Sequence, residues 1–573
     1  QTAALLAVRP DGPGMSRPPV GDAAGDLARH TAVMAAGTML SRVSGFGRLA
    51  ALTAALGVAE GPLADAFNTA NVMPNIVYEL VLGGVLSSVL VPVFVDTLRR
   101  EAAHDGDAGE HRHVVNTVTT LAGLVLVVIV VAAVAGAPLL ARLLTVGVQS
   151  PADPATLRRV VTVFLRLFLP QVLFYGLTTI WTAYLNAHRH FATPMFAPVL
   201  NNVIVAGVVL VFGATVGFEA VALQQLSTAQ LWLLGGGTTA GIVAMTVPLW
   251  PVARRHGWSW RPSLDWGHPM VRRIGRLGGW AVLYVLVNQV GYLVVIVLAG
   301  AVPGDGAFSA YVYAFMFFQL PHGIYAVSVM TALVPALSES ASAGDLDRFR
   351  AQLTRGVRAT ALLIVPAAVG LGVLAAPIIR LLLEQGVFSA ASTQLVSRVL
   401  VAFTIGLPSF SLFQLFLRAH YALQNTRTPA LVNLFAVGLN IAVDVVLFVV
   451  LPGQWKVVGL AVGHASAYTA GALVFALRLH RRLGGLEDRA TLSSLSRIAG
   501  AAALMGGLAW GAAQGLAATL GTAGLLPEAL TLGGAVAAGV LAYLTLARLL
   551  GVGELKGLTA LARPRLGRRS PPA

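Results

Sequence analysis

Apolar stretches of membrane-spanning length recur along nearly the whole chain, and this repetition constrains the fold more than any other feature. A helix rises about 1.5 Å per residue, so crossing a hydrocarbon core needs about 20 apolar residues. Such stretches fall at 31–56, 64–96, 114–140, 160–185, 190–213, 229–252, 275–301, 308–337, 357–383, 393–423, 429–451, 457–479, 496–519 and 527–550. Only helices and closed barrels satisfy their own backbone groups in lipid, and segments of this length read as helices. The expected fold is therefore an all-α polytopic membrane protein with about 14 transmembrane helices. Composition agrees: 56% of the 573 residues are hydrophobic and 11% are charged, against about 25% charged in soluble domains. Mean hydropathy is +0.77.

The chain has no cysteine, which excludes disulfides, thiolate metal sites and a cysteine nucleophile. Its net charge of +15 does not imply nucleic acid, because the basic residues sit in loops, where they set orientation. Even-numbered connections carry Arg99-Arg100, Arg189, Arg254-Arg255, Arg272-Arg273, Arg348, Arg427 and Arg481-Arg482. Odd-numbered connections are short and nearly uncharged, with Arg142, Arg158 and Arg159 as the exceptions. Both termini are then expected in the cytoplasm, including the tail with Arg563, Arg565, Arg568 and Arg569. Residues 1–30 lack a signal-peptide pattern and read as a disordered cytoplasmic leader.

Two segments echo each other. Ala66-Phe67 with Met73-Pro74 resembles Ala314-Phe315 with Leu320-Pro321, and each is followed by a Val-Pro pair (Val91-Pro92, Val334-Pro335). Tyr184 to Pro194 resembles Tyr421 to Pro429. The expected organisation is a leader (1–30), a six-helix lobe (31–255), a cytoplasmic linker with a second six-helix lobe (256–482), a helix pair (483–550) and a basic cytoplasmic tail (551–573). Repeated halves are common in transporters, with the site between them.

Polar groups inside spans are costly and mark function or packing. The first helix holds Ser41, Arg42 and Arg48, with Ser41, Gly45 and Arg48 on one face. Either the arginines meet a cavity, through a bend at Gly45 and Gly47, or one snorkels to the interface. The second helix carries Asn68, Asn71, Asn75 and Glu79 in one stripe, flanked by Tyr78. Water, a polar ligand or interhelical hydrogen bonding would each satisfy it. Asp65 opens that helix, where it would serve as an N-cap or face the cavity. The seventh helix aligns Tyr284, Asn288 and Tyr292; the eighth places Gln319 and His322 either side of Pro321. Asn440 and Asp444 form an i, i+4 pair that offers two oxygens to a cation such as Na⁺. There is no HExxH, no phosphate loop and no Walker lysine, so transport driven by this chain's own ATP hydrolysis is not expected. The polar stripes point to a transporter rather than an enzyme.

Taken together, Ser41-Arg42-Val43-x-Gly45-Phe46-x-Arg48, Gly57, Pro62-Leu63-Ala64-Asp65-Ala66-Phe67, Met73-Pro74-Asn75, Gly84 and Val91-Pro92 resemble the MurJ/MviN lipid II flippases. The stretch Arg418 to Leu423, then Asn425-Thr426-Arg427-Thr428-Pro429, is similar to that family's tenth-to-eleventh connection. The resemblance covers about 31–480, and the wording of Tyr78-Glu79-Leu80 and Phe317 to His322 is that of an actinobacterial branch. It implies the multidrug/oligosaccharidyl-lipid/polysaccharide exporter superfamily. The implied substrate is the undecaprenyl-pyrophosphate-linked disaccharide-pentapeptide, lipid II, moved from cytoplasmic to outer leaflet by alternating access. It implies a bacterial plasma membrane location, a role in peptidoglycan synthesis and cell shape, contact with membrane lipids and cell-wall synthesis proteins, and a lipid-tail groove on the last two helices. The basic cavity carries over to Arg42 and Arg48; Ser41, Asn71, Asn75, Glu79 and Gln319 complete the expected substrate-binding set. No cofactor is implied beyond Na⁺ at Asn440 and Asp444 or coupling to membrane potential. The chain departs from the pattern at Leu49, where an Asp is usual, at Met316, where an Arg is usual, and near Tyr78 and Glu79, where arginines are missing. The rivals are another lipid-linked oligosaccharide flippase, a drug/cation antiporter of the same superfamily, and a non-transporting cell-wall scaffold.

Overall fold

The computed structural model describes residues 20–80, 108–188, 190–265, 269–486, 488–521 and 524–555. Among them the regular structure is helical. In chain order the helices are α1 (Val20–Leu56), α2 (Leu63–Tyr78), α3 (Ala108–Ala135), α4 (Ala137–Leu144), α5 (Pro154–Phe168), α6 (Gln171–Ala187), α7 (Ala192–Thr215), α8 (Thr228–Thr246), α9 (Leu249–Arg255) and α10 (Pro269–Gly300). Then come α11 (Ala307–Pro321), α12 (Val327–Ser342), α13 (Leu346–Val373), α14 (Ala375–Leu383), α15 (Ala390–Ala422), α16 (Arg427–Val450), α17 (Trp455–Leu483), α18 (Asp488–Leu520) and α19 (Leu525–Leu549).

Eleven helices among the described residues are long and apolar enough to cross a membrane, and α3 with α4, bent by 64° at Gly136, would make a twelfth. The expected count of 14 is not reached. α1 has the length, but Arg42 and Arg48 lower its hydropathy, and α2 is described as a helix only to Tyr78. α1 also begins at Val20, so residues 20–30 of the expected leader are helical. The basic tail beyond Leu555 and the Arg99-Arg100 loop lie outside the described residues.

Local sequence explains the helix ends. Asp153 caps α5, its carboxylate accepting from Thr156 N at 2.8 Å, with Pro154 preset at the first helical position. Ser227 and Gln230 form a reciprocal capping box on α8. Pro321 has no N–H to give, and the chain widens into a π turn over His322–Ala326 before α12 resumes.

Two compact units emerge. The first is 1–312 with 382–395 and 452–457; the second is 313–381, 396–451 and 458–573. These divide the chain differently from the expected lobes. The first unit takes in the odd-numbered connections from the first to the eleventh, and backbone bonds join several of them. Gln149 N donates to Gly300 O, Gly304 N to Gln149 O, and Val387 N to Ala54 O at 2.8 Å. Gly386 sits at φ 61° with its α-carbon against the Ala54 carbonyl, a conformation and a proximity that only glycine tolerates. In the same unit Phe67 of α2 meets Phe164 and Phe168 of α5 edge-on at 5.8 and 5.4 Å.

The 483–550 pair packs within the second unit. Ile498, Ala501, Ala502 and Met505 of α18 and Tyr543 and Ala547 of α19 bury against Ala361 and Leu362 of α13. Tyr543 donates its hydroxyl to Leu362 O at 2.7 Å, and Arg358 pairs with Glu554 at 3.8 Å.

Candidate functional site

The first-unit site is built on α1, α2 and α6. α1 runs unbroken through Gly45 and Gly47. Its Ser41 face packs on α7, where Asn202 Nδ2 donates to Ser41 O at 3.1 Å and to Ser44 Oγ at 3.0 Å. Gly45 leaves room for that amide. Ser41 therefore marks helix packing at its backbone, while Arg42 and Arg48 are each half-buried. Leu49, where the resembled family carries an acid, is 1% exposed and belongs to the apolar core.

The asparagine stripe of α2 divides. Asn68 is buried and donates to Ser309 Oγ at 2.9 Å, so it is interhelical packing. Asn71 is half-buried, and Asn75 and Glu79 are exposed. Tyr78 shares a 2.6 Å hydrogen bond with Thr179 of α6 and lies 5.8 Å from the Tyr175 ring. Arg48 is within electrostatic reach of Tyr175. Tyr175 in turn donates to Gln171 Oε1 at 3.4 Å, and Gln171 Nε2 donates to Thr239 of α8 at 2.9 Å. A polar wall from α6 thus backs the arginine. Sequence reading missed this wall because Gln171, Tyr175 and Thr179 interrupt an otherwise apolar helix singly.

A second polar cluster closes one end of the first unit. Asp65 does not cap its own helix, where no side-chain cap bond forms. It accepts from Gly306 N at 3.0 Å, Ser309 N at 2.8 Å and Ser309 Oγ at 2.6 Å, at the start of α11. That corrects the expected choice between self-cap and cavity: the carboxylate neutralises the positive end of a different helix. Glu60, in the α1–α2 turn, accepts from Val58 N at 2.6 Å, Ser389 N at 2.9 Å and Ser392 Oγ at 2.7 Å. Burial alone would raise its pKa, but these donors outweigh burial and hold the carboxyl below the usual carboxylate range. Asp305 accepts from Ser150 at 2.8 Å, and burial pushes its carboxyl up. The Glu60 and Asp305 pairings span 329 and 155 residues, which no local pattern reveals.

The remaining candidates lie in other places. Asn288 bonds back to Tyr284 O at 2.8 Å, and Tyr292 packs on Phe308 at 6.4 Å. In the second unit Gln319 is exposed and Met316 half-buried, while His322 Nδ1 bonds Ser411 Oγ at 3.0 Å, a structural role.

The matching family model, described as lipid II flippase MurJ, spans residues 52–530. The chain belongs to the lipid II flippase MurJ family. A probable MurJ of Rhizobium meliloti is 33% identical over 91% of this chain and 93% of its own length. One from Vibrio cholerae is 28% identical over 93% and 98%. Among solved structures, a MurJ in an inward closed conformation has TM-score 0.70 at 21% identity, over 92% of this chain and 99% of that one. A multidrug resistance MATE transporter of the MOP superfamily has TM-score 0.60 at 13% identity, over 80% and 98%. Both likenesses support the polytopic helical fold, and this MurJ-family chain is a multi-span membrane protein of a transporter family.

The cation pair has a defined setting in this MurJ-family fold. Asn440 Nδ2 donates to Asp444 Oδ2 at 2.8 Å. Asp444 is 0% exposed, and its Oδ1 has no hydrogen-bond partner. Gly463 of α17 faces both side chains; a Cβ there would run into Asp444 Oδ1. No group of three or more acidic or histidine side chains with metal-site geometry exists among the described residues. Any cation held here would draw its other ligands from carbonyl or amide oxygens.

Proposed function

We propose that this chain moves lipid II from the cytoplasmic to the outer leaflet of the bacterial plasma membrane by alternating access. The observation that carries the proposal is the pair of half-buried arginines in mid-α1, with Arg48 within electrostatic reach of Tyr175 in the α6 polar wall, in a MurJ-family chain. A pyrophosphate is a diffuse dianionic target, and the guanidinium fork matches it better than a lysine would. Arg42 and Arg48 hold the pyrophosphate, and Asn71, Asn75 and Glu79 contact the sugar and peptide. Ser41 keeps only its backbone role toward Asn202.

The arginine-rich even connections support a topology with both termini in the cytoplasm and the Glu60–Asp65–Asp305 cluster at the outer face. That cluster then acts as the outer seal, closed while substrate loads from inside. Membrane lipids surround the helices, and cell-wall synthesis proteins receive the product. The test is replacement of an essential flippase in a depletion strain. Growth restored by this chain supports the reading; rescue confined to lipid-linked O-antigen export supports the rival lipid-linked oligosaccharide activity.

Coupling to Na⁺ at Asn440 and Asp444 is part of the same proposal. The buried Asp444 Oδ1, which has no hydrogen-bond partner, fits a desolvated cation. The expected result is a Na⁺-dependent rise in melting temperature of the purified protein that Asp444→Asn abolishes without loss of folding. A wild-type protein whose melting temperature ignores Na⁺ would leave the pair as an intrahelical hydrogen bond.

A further inference from the structure

The segment between the two halves of the sequence is not a free tether. It leaves α9 at His256 and runs as a strap along the first unit. Trp258 is buried against Tyr184, ring centroids 4.8 Å apart. Trp260 Nε1 donates to Thr120 Oγ1 at 3.1 Å, and Ser263 N donates to the same oxygen at 3.2 Å. Thr117 Oγ1 donates to Ser263 Oγ at 2.9 Å, Arg261 N to Asn116 Oδ1 at 3.3 Å, and His113 pairs with Asp265 at 3.8 Å. The strap is therefore stapled to α3 over more than a turn.

Three histidines meet where the strap begins. His256 lies 4.9 Å from His190 and 6.2 Å from His188, ring to ring. Tyr184 stacks on His188 at 4.2 Å and donates its hydroxyl to His256 O at 2.8 Å. His188 Nδ1 faces Tyr184 O and His256 Nδ1 faces Val252 O, both at 2.9 Å. Each of these two imidazoles thus donates from Nδ1, and His190 Nε2 bonds Thr193 Oγ1 at 2.9 Å. The other charged side chains described on α9 are basic. Arg254 lies over Trp250 at 5.0 Å, and Arg255 is its exposed neighbour. The nearest acid paired along the strap is Asp265, already opposite His113. The His256 ring beside His190 disfavours a charge on His190.

We propose that this histidine cluster is a cytoplasmic proton sensor that docks the strap when neutral and releases it when protonated, slowing transport as the cell interior acidifies. Two imidazolium rings at the His190–His256 spacing of 4.9 Å repel across the anchor point of the strap. Burial, then His256, lowers the His190 pKa. A histidine with a depressed pKa in the docked state favours docking while neutral. Docking is therefore complete above about pH 6.5, the ordinary histidine value, and weakens as pH falls below it. The proposal rests on the flippase reading for its transport arm and on strap geometry alone for its docking arm.

The docking test compares amide hydrogen exchange of residues 256–265 in the full-length wild type and in the double variant His190→Gln, His256→Gln, at the same pH each time so that intrinsic rates cancel. The expected result is equal exchange at pH 7.5 and wild-type exchange about tenfold faster than the variant at pH 5.5, the range over which histidine titrates. Should the double variant fold poorly, His190→Gln alone, outside any helix, supplies the comparison. In liposomes, wild-type transport should slow about 3- to 10-fold as internal pH falls from 7.5 to 5.5, while the variant stays level. Equal exchange at both values, or a variant that retains the wild-type pH profile, overturns the sensor. Absence of lipid II transport at every pH would count against the flippase reading and leave the exchange comparison intact.

Discussion

Replacing Arg48 with alanine weakens lipid II binding about 10- to 100-fold, the loss expected when one charge-assisted hydrogen bond of about 1.5–3 kcal/mol is removed. Arg48→Lys keeps the charge but loses the fork, so it retains part of the affinity. The melting temperature of either variant stays close to wild type. Arg48 is half-buried rather than fully buried. A role in helix packing alone gives the opposite pattern, with reduced stability and normal affinity in the protein that survives. Measuring lipid II affinity and melting temperature on the same preparation separates the two. Normal affinity in both Arg42→Ala and Arg48→Ala would remove the arginines from the binding site.

Asp65→Ala has the largest expected effect on stability. It strips the acceptor from Gly306 N, Ser309 N and Ser309 Oγ together, at the start of α11. Each buried donor left without its acceptor costs about 1–3 kcal/mol. The chain has no cysteine, so Ser392→Cys introduces a single thiol beside Glu60. In the Asp65→Ala background that thiol should react faster from the outer side, because the seal opens. Glu60 adds a pH signature. Its folded pKa lies below the ordinary value, so its contribution is complete above about pH 4.5 and is lost as pH falls through the folded pKa. The melting temperature of the wild-type protein should therefore lose the Glu60 contribution only in acid, a loss that Glu60→Gln removes. An Asp65→Ala protein with unchanged melting temperature and unchanged labelling would remove the seal from the account.

Much of the fold was legible in the sequence because a span announces itself by length and composition. α7, α10 and α16 are continuous apolar stretches that need no partner to be recognised. α1 was also legible, through the residues that spoil its hydropathy, since Arg42 and Arg48 are costly enough in mid-helix to demand a reason. The site was less legible because side-chain periodicity places residues on a face without saying what that face meets. Asn68 and Glu79 share a stripe, yet Asn68 is buried on Ser309 and Glu79 is exposed. Asp65 stands where an N-cap would stand and instead holds the start of a helix more than 240 residues away. Contacts at that separation are set by the tertiary fold. The grouping of the first eleven connections' odd members into one compact unit was hidden for the same reason.

The most direct measurement is lipid II in the outer leaflet of cells depleted of their own flippase and supplied with this chain. The account predicts that outer-leaflet lipid II returns with expression of the wild type and stays low with the Arg42→Ala, Arg48→Ala double variant at equal protein level. Outer-leaflet lipid II that stays at the depleted level, with the wild-type chain present in the membrane, would contradict it.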